Sequence, residues 1–291
     1  MKLIYSILFL MVAVLTMGAQ ATDSVVAENP AEGPAQVADT LPEEGVEEPA
    51  AIISGEVLAQ QADSAYSADN FVMAEALYLK ALEAGGSSST LFYNLGNAYY
   101  RQGNLGKAIV NYERALKLDP TNADARANLE FVNSKITDKQ IDSGSYMDSV
   151  WEGTVGMFHA DTWAIVALVL FAIFLGAIAA YIFSSAVAVK KASFFGGLVV
   201  FALTVCAVIV SFAAANRVNS DRYAIILPPS SQLSTSPREA RSHAEQAFLL
   251  HEGTKVEIID SIANPGEGMW YEVLVGHGER AWVKASEVER I

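Results

Sequence analysis

The residues best suited to catalysis or metal binding are few in this chain and widely separated. It contains one cysteine, Cys206, and four histidines: His159, His243, His251 and His277. None of the histidines has the spacing to another histidine or to a carboxylate that metal motifs use. Cys206 lies in a long apolar stretch, where a thiolate is strongly disfavoured, and a single cysteine excludes a two-cysteine redox motif. The sequence therefore predicts no catalytic residue, no metal site and no cofactor.

A repeat with a period of 34 residues occupies the stretch 55–122. Several residues of the first copy recur in the second: Ala74 as Ala108, Tyr78 as Tyr112, and Ala81 as Ala115. The second copy is the clearer one and holds Phe92, Leu95, Gly96, Tyr99, Gly103, Ala108, Tyr112, Ala115 and Pro120. This pattern resembles the tetratricopeptide (TPR) repeat, a pair of antiparallel helices. We expect Gly96 and Ala108 to be small because the two helices cross there.

The TPR resemblance divides this region into repeats 55–88 and 89–122, followed by a polar capping helix over 123–137. In a TPR solenoid the first helix of each repeat lines a concave face, which in the second repeat implies the side chains of Tyr93, Asn97, Tyr100 and Arg101. Aromatic, amide and guanidinium groups in one groove suit an extended peptide. We expect these side chains to point away from the repeat core and to bind protein; a solvated face without a ligand is the alternative. The carboxylate clamp of the family has a lysine where Tyr93 stands, so this chain departs from that pattern.

The N-terminal run 1–21 has the form of a signal peptide. Lys2 precedes an apolar stretch, and the alanines at 19 and 21 fit a small-x-small cleavage site; an uncleaved anchor is the alternative. Residues 22–54 follow as an acidic, proline- and alanine-rich linker without lysine or arginine, which predicts a disordered spacer. The net charge of the whole chain is −14, which argues against nucleic acid as a partner, because nucleic acid requires a basic surface.

Two further apolar runs, 163–183 and 194–214, hold no charged residue and have the length of transmembrane helices. The segment between them, 184–193, contains two lysines, which predicts a cytoplasmic loop. Residues 138–162 are predicted to form a juxtamembrane connector. The absence of ionisable residues from both runs argues against an ion or proton pathway. The sequence thus predicts a multi-pass membrane protein whose two terminal domains lie on the same, non-cytoplasmic side.

The C-terminal stretch 222–291 has the pattern of a small all-β barrel. Strands are predicted over 223–227, 247–250, 255–259, 270–275 and 281–283, with a turn at 276–278. The residues at 251–256, 270–271 and 282–283 resemble those of a bacterial SH3-like domain. Three aromatic residues there are a candidate ligand groove, with burial in the core as the alternative: Trp270, Tyr271 and Trp282. The predicted fold class is therefore multidomain: an α-helical TPR solenoid, a two-helix transmembrane hairpin and a small all-β SH3-like barrel.

The order of these parts and the runs 94–101, 103–109 and 248–253 resemble BatE-type proteins of the Bacteroides aerotolerance (Bat) group. This resemblance implies a bacterial inner-membrane protein with both terminal domains in the periplasm. It also implies protein partners among Bat proteins with von Willebrand A domains, and a link to oxidative or envelope stress. Two functions remain open, neither of them enzymatic: a scaffold for protein–protein interaction, and a tether or sensor whose SH3-like domain contacts peptidoglycan.

Overall fold

The structure is a computed structural model that describes residues 54–138, 146–218, 220–275 and 278–291. The predicted signal peptide (1–21) and the linker up to residue 53 lie outside the described residues. So do residues 139–145 of the predicted connector and residues 276 and 277 of the predicted turn.

Five helices form the N-terminal region: α1 (Gly55–Ser67), α2 (Phe71–Gly85), α3 (Ser89–Arg101), α4 (Leu105–Leu118) and α5 (Ala123–Asn133). Four of them begin at a residue whose side chain accepts a hydrogen bond from a first-turn backbone N–H: Ser54, Asn70, Ser88 and Asn122. The exception is α4, whose N-cap residue Asn104 makes no such bond. Consecutive helices pack against one another, so α1–α2 and α3–α4 form two helix pairs and α5 follows as a single helix.

One apolar core runs through these five helices, and small residues allow the helices to approach closely. Ala74 and Ala108 are fully buried at equivalent positions of the two pairs. A Cβ atom added to Gly96 would lie 2.7 Å from Cε1 of Tyr112, so any side chain at Gly96 would collide with this ring. The structure therefore places Gly96 and Ala108 in the tight contact between α3 and α4 that the sequence predicts.

A short helix, α6 (Tyr146–Val155), precedes two long apolar helices, α7 (Ala160–Phe183) and α8 (Val187–Val218). These two pack against each other as a hairpin, and most of their large apolar side chains are exposed. By length and composition both are able to cross a membrane. The predicted loop 184–193 is wrong in extent, because residues 187–193 belong to α8 and only 184–186 are non-helical. Lysine keeps a segment out of the hydrocarbon core but is itself a good helix former, so its presence does not end a helix.

Seven strands form the C-terminal domain: β1 (Tyr223–Ile226), β2 (Ser230–Ser234), β3 (Gln246–His251), β4 (Lys255–Asn264), β5 (Gly268–Val275), β6 (Glu279–Lys284) and β7 (Val288–Arg290). They make one antiparallel sheet in the order β3-β2-β6-β5-β4-β1-β7. Its buried face includes Ile226, Leu233, Val256, Val273 and Val283. The predicted fold class is confirmed at this level: a helical TPR region, a helical hairpin and an all-β antiparallel domain.

Two of these strands were not predicted from the sequence. β2 is rich in serine, a poor strand former, and follows two prolines, so its sequence is typical of a loop. It forms because it pairs with β3 on one side and β6 on the other. β7 has only three residues and pairs with β1. Both strands therefore depend on partners distant in sequence.

Candidate protein-binding surface

The four residues predicted to bind a protein partner lie on α3. Their spacing places Tyr93, Asn97, Tyr100 and Arg101 on neighbouring turns of one side of this helix. Tyr93, Asn97 and Tyr100 are half-buried, and Arg101 is exposed. The ring of Tyr93 also contacts the ring of Tyr112, with centroids 6.2 Å apart. These side chains are therefore only partly available to a ligand.

Two hydrogen bonds from neighbouring helices go to the same atom of Asn97. Its Oδ1 accepts one from the hydroxyl of Tyr112 at 2.7 Å and one from Nδ2 of Asn128 at 2.9 Å. Burial raises the pKa of the Tyr112 hydroxyl, so this group remains a protonated donor. The prediction that Asn97 points away from the repeat core is wrong, because its oxygen joins α3 to both α4 and α5.

The other amide atom of Asn97 is a free donor. Its Nδ2 has no hydrogen-bond partner within the described ranges. In this orientation Oδ1 accepts both bonds, and Nδ2 is the amide atom left to donate elsewhere. The α3 surface thus presents an amide donor with no partner among the described residues, which suits a backbone carbonyl of a bound peptide.

Arg101 and Tyr100 are positioned by neighbouring helices. Nη2 of Arg101 lies 3.1 Å from Oδ1 of Asp69, and its guanidinium carbon lies 4.2 Å from the centre of the Phe71 ring. The hydroxyl of Tyr100 accepts a hydrogen bond of 2.7 Å from Nζ of Lys135. The Arg101–Asp69 pair is largely exposed, and pairs of this kind contribute about 0–1 kcal/mol. Arg101 is therefore free to exchange Asp69 for a carboxylate of a partner.

Two further residues, Phe131 of α5 and Lys135 just after it, extend this surface. Phe131 is 52% exposed, packs edge-on against Tyr100 and has Lys135 Nζ 4.2 Å from its ring centre. The sequence predicts a polar capping helix over 123–137, and a polar cap gives no reason to select Phe131 or Lys135 for binding. The 34-residue period was the available signal, since Phe131 is the counterpart of Asn97 and Lys135 that of Arg101.

The opposite side of the second helix pair is covered by the β domain. The backbone N–H of Gly106, in the first turn of α4, donates to Oε1 of Glu252 at 2.8 Å. This carboxylate thus supplies the capping hydrogen bond that the side chain of Asn104 does not make. It also interacts favourably with the positive end of the helix dipole. Further along α4, Glu113 accepts a bond from Lys255. This face of α4 is consequently unavailable to an external partner.

A second anchor joins the end of the helical region to the β domain. Oδ2 of Asp138 accepts hydrogen bonds from the backbone N–H of His251 and the hydroxyl of Thr254, both at 2.7 Å. Burial disfavours the charged carboxylate, but these hydrogen bonds outweigh it and lower the pKa of Asp138. Gly253 lies in the same turn with φ of +89°, where a Cβ would collide with Ile136. A bulkier residue at Gly253 would separate the two domains.

The aromatic groove predicted in the β domain is wrong, because its three residues do not share a face. Consecutive strand residues point to opposite sides of a sheet. Tyr271 is paired with Val283 on the core side, whereas Trp270 and Trp282 lie on the other side, paired with Lys284 and Glu272. Trp270 is also only 3% exposed. The alternative of structural burial therefore describes Trp270.

Comparison with known families identifies one repeat of the helical region. A family model of the tetratricopeptide repeat matches residues 89–122, the stretch that contains α3 and α4. These residues form a TPR repeat. No curated protein matches the chain. In the part of the chain that the structure describes, no cluster of three or more His, Cys, Asp or Glu side chains is placed to hold a metal ion. The TPR match agrees with a surface for protein–protein interaction.

Proposed function

We propose that this protein is a membrane-anchored scaffold whose TPR region binds an extended segment of a protein partner. The segment lies on the α3 face, which is the side of α3 that carries Tyr93, Asn97, Tyr100 and Arg101. The observation that carries this proposal is the Asn97 amide, hydrogen-bonded through its oxygen and unpaired at its nitrogen among the described residues. Nδ2 donates to a backbone carbonyl of the segment, and the rings of Tyr93 and Tyr100 pack against its side chains. Arg101 and Lys135 supply positive charge for a carboxylate.

The hairpin of α7 and α8 anchors this scaffold in a membrane. Their exposed apolar side chains need a nonpolar environment. Contacts of the β domain with Gly106 and Asp138 support placing the two domains on the same side of that membrane. Two spans agree with this placement, since a hairpin returns the chain to the side from which it entered. We place both domains in the periplasm, as the predicted signal peptide and the lysines at 190 and 191 indicate.

The resemblance to BatE-type proteins provides a specific hypothesis for the partners. On that basis the TPR region holds Bat proteins with von Willebrand A domains in a complex that serves aerotolerance or envelope stress. We propose no enzymatic role for this chain. Two of its histidines lie in contacts that fit a structural role, since His251 packs on Asp138 and His159 lies 3.3 Å from Asp119.

A peptidoglycan tether or sensor is the alternative, and it has less structural support. That function requires an accessible aromatic groove in the β domain, whereas Trp270 is buried and Tyr271 lies on the opposite face. Sedimentation of the purified protein with isolated sacculi distinguishes the two functions. A scaffold stays in the supernatant, whereas a tether sediments with the sacculi.

The scaffold proposal is tested by Asn97→Asp, which removes the free donor but keeps the accepting oxygen. Asp63 occupies the equivalent position of the first repeat and accepts hydrogen bonds from Tyr78 and Asn94, so aspartate fits this network. The full chain is purified in mild detergent after crosslinking in cells, and co-purifying membrane proteins are quantified by mass spectrometry. An unpaired carbonyl and a new negative charge lower the yield of the main partner by about tenfold.

Asn104→Asp is the matched control, because it makes the same charge change at an exposed N-cap position outside the α3 face. It leaves the partner yield unchanged. A normal yield from Asn97→Asp with wild-type helix content would contradict binding through Asn97. Recovery of von Willebrand A proteins with wild type and Asn104→Asp, but not with Asn97→Asp, would support the Bat hypothesis.

A further inference from the structure

A cavity of about 340 Å³ lies where the TPR region, the hairpin and the β domain meet. Its lining includes the apolar residues Trp151 and Val155 of α6 and Ala213 near the end of α8. It also includes charged residues of α4, of α6, of the end of α8 and of the β domain. The lining therefore combines apolar and charged side chains.

Four cationic side chains line this cavity, but only two of them have partners. Nζ of Lys255 lies 2.8 Å from Oε1 of Glu113. Nζ of Lys117 donates to the main-chain oxygens of Ser220 and Ile291, at 2.7 and 2.9 Å.

The other two cations, Arg217 and Arg222, make no side-chain hydrogen bond or ion pair within the described ranges. The second acidic residue of the lining, Glu152, accepts a hydrogen bond from the hydroxyl of Tyr223 and forms no ion pair with either arginine among the described residues. The cavity thus has two guanidinium groups available for an anion.

The position of these arginines relates the cavity to the membrane surface. Arg217 lies in the last turn of α8, directly after its apolar stretch. Trp151 is 45% exposed on the cavity lining, and tryptophan is enriched at the level of lipid headgroups. Under the proposed topology both arginines lie on the non-cytoplasmic side of the membrane. The positive-inside rule predicts arginine and lysine on the cytoplasmic side, so it does not explain these two arginines. A ligand accounts for their presence.

We infer that this cavity binds the phosphate of an anionic phospholipid headgroup through Arg217 and Arg222, with the adjoining acyl chain against the apolar residues of the lining. A guanidinium group matches phosphate in a two-pronged geometry and is more readily desolvated than an ammonium group. This inference rests on the membrane anchoring put forward under the proposed function. A lipid bound here would tie α8 to the TPR region and the β domain.

The test uses the full chain in a non-ionic detergent, with bound lipid measured by native mass spectrometry. The probes are phosphatidylglycerol, phosphatidylcholine with the same acyl chains, and inorganic phosphate. The wild-type protein retains one phosphatidylglycerol, with at least about tenfold preference over phosphatidylcholine. Arg217→Gln combined with Arg222→Gln removes this preference. Lys190→Gln combined with Lys191→Gln, an equal loss of charge at the other end of α8, leaves it intact.

Three results would overturn the inference. They are unchanged phosphatidylglycerol binding by the double arginine variant, equal retention of both lipids by wild type, and displacement of phosphatidylglycerol by an equal concentration of inorganic phosphate. The last would identify a free-phosphate site instead. If the double variant does not fold, Arg222→Gln alone decides, because Arg222 is exposed: a loss of about threefold or more is expected, and no loss overturns the inference.

Resistance of the wild-type protein to alkaline carbonate extraction separates this inference from the proposed anchoring. Extraction of the protein would refute the anchoring and the inference with it. Retention in the membrane without lipid preference would refute only the lipid site.

Discussion

The hydroxyl of Tyr112 donates a hydrogen bond of 2.7 Å to Oδ1 of Asn97, and 34 residues earlier Tyr78 donates one of 2.6 Å to Asp63. In both helix pairs this bond ties the second helix to the first. A second donor comes from the next helix, Asn128 in one case and Asn94 in the other. The repeat thus carries a polar network beside its apolar core, and the network leaves the nitrogen of Asn97 free to serve a partner.

Removal of the tyrosine hydroxyl from either helix pair should lower the free energy of unfolding by an amount that depends on the acceptor of its hydrogen bond. Tyr112→Phe loses a bond to a neutral amide and should cost about 0.5–1.5 kcal/mol, whereas Tyr78→Phe loses a bond to a carboxylate and should cost about 1.5–3 kcal/mol. Thermal unfolding of the full chain in detergent, followed by circular dichroism, provides the comparison. If Tyr112→Phe lowered the melting temperature more than Tyr78→Phe, the stronger bond assigned to the carboxylate acceptor would be wrong.

Gly96→Ala should destabilise the protein although alanine is the better helix former. The new methyl group would lie 2.7 Å from the Tyr112 ring, and such overpacking costs about 1–3 kcal/mol. Gly153→Ala is the matched control, because Gly153 is also helical but has open space around its Cβ position. We expect Gly153→Ala to be neutral or to stabilise by up to about 1 kcal/mol. Equal melting temperatures for the two variants would contradict the close contact of α3 and α4.

Glu252 should protect the first turn of α4 from solvent. Glu252→Ala removes the acceptor of the Gly106 N–H and leaves α4 without a capping side chain, which typically costs about 1 kcal/mol. Hydrogen exchange at the Gly106 amide should accelerate about fivefold, and Glu252→Gln should have a smaller effect because it keeps an accepting oxygen. Unchanged exchange in Glu252→Ala would mean that the β domain does not cap this helix.

The contact between Asp138 and the β domain should weaken in acid. Its folded-state pKa is lowered, so its stabilising effect is fully present above the unfolded value of about 3.9 and is lost as the pH falls towards the folded value. Asp138→Asn should therefore be less stable than the wild type at pH 7, and the difference should shrink below about pH 4. Chemical unfolding of both proteins at several pH values measures this difference in the free energy of unfolding. A constant difference would contradict the role of the Asp138 carboxylate.

The proposed topology predicts different reactivity for cysteines placed in the β domain and in the connection between the two spans. In a Cys206→Ser background, Asp260→Cys should react with a membrane-impermeant thiol reagent added to intact spheroplasts. Lys191→Cys should react only after the membrane is permeabilised. Asp260 and Lys191 are both exposed in the structure, so burial does not explain a difference. The reverse pattern would place the two domains in the cytoplasm.

Much of this architecture follows from periodicities in the sequence. The 34-residue recurrence from Ala74 to Ala108 and from Tyr78 to Tyr112 reflects the same helix contact made twice, so a local pattern was sufficient to predict two helix pairs. The long apolar runs predicted α7 and α8 for a similar reason, since a membrane imposes its thickness on each segment independently. Alternation of apolar residues likewise predicted five of the seven strands.

Only the tertiary structure decided which side chains of these elements are available to a binding partner. Asn97 and Arg101 looked alike in sequence as exposed groups, yet Asn97 is bound through its oxygen to Tyr112 and Asn128, while Arg101 rests on Phe71. The contact of Glu252 with Gly106 spans 146 positions of the chain. Periodicity reports which face of an element is apolar but not which distant group packs on it. Because that choice depends on how all the domains fit together, the availability of each side chain could not be predicted from the sequence.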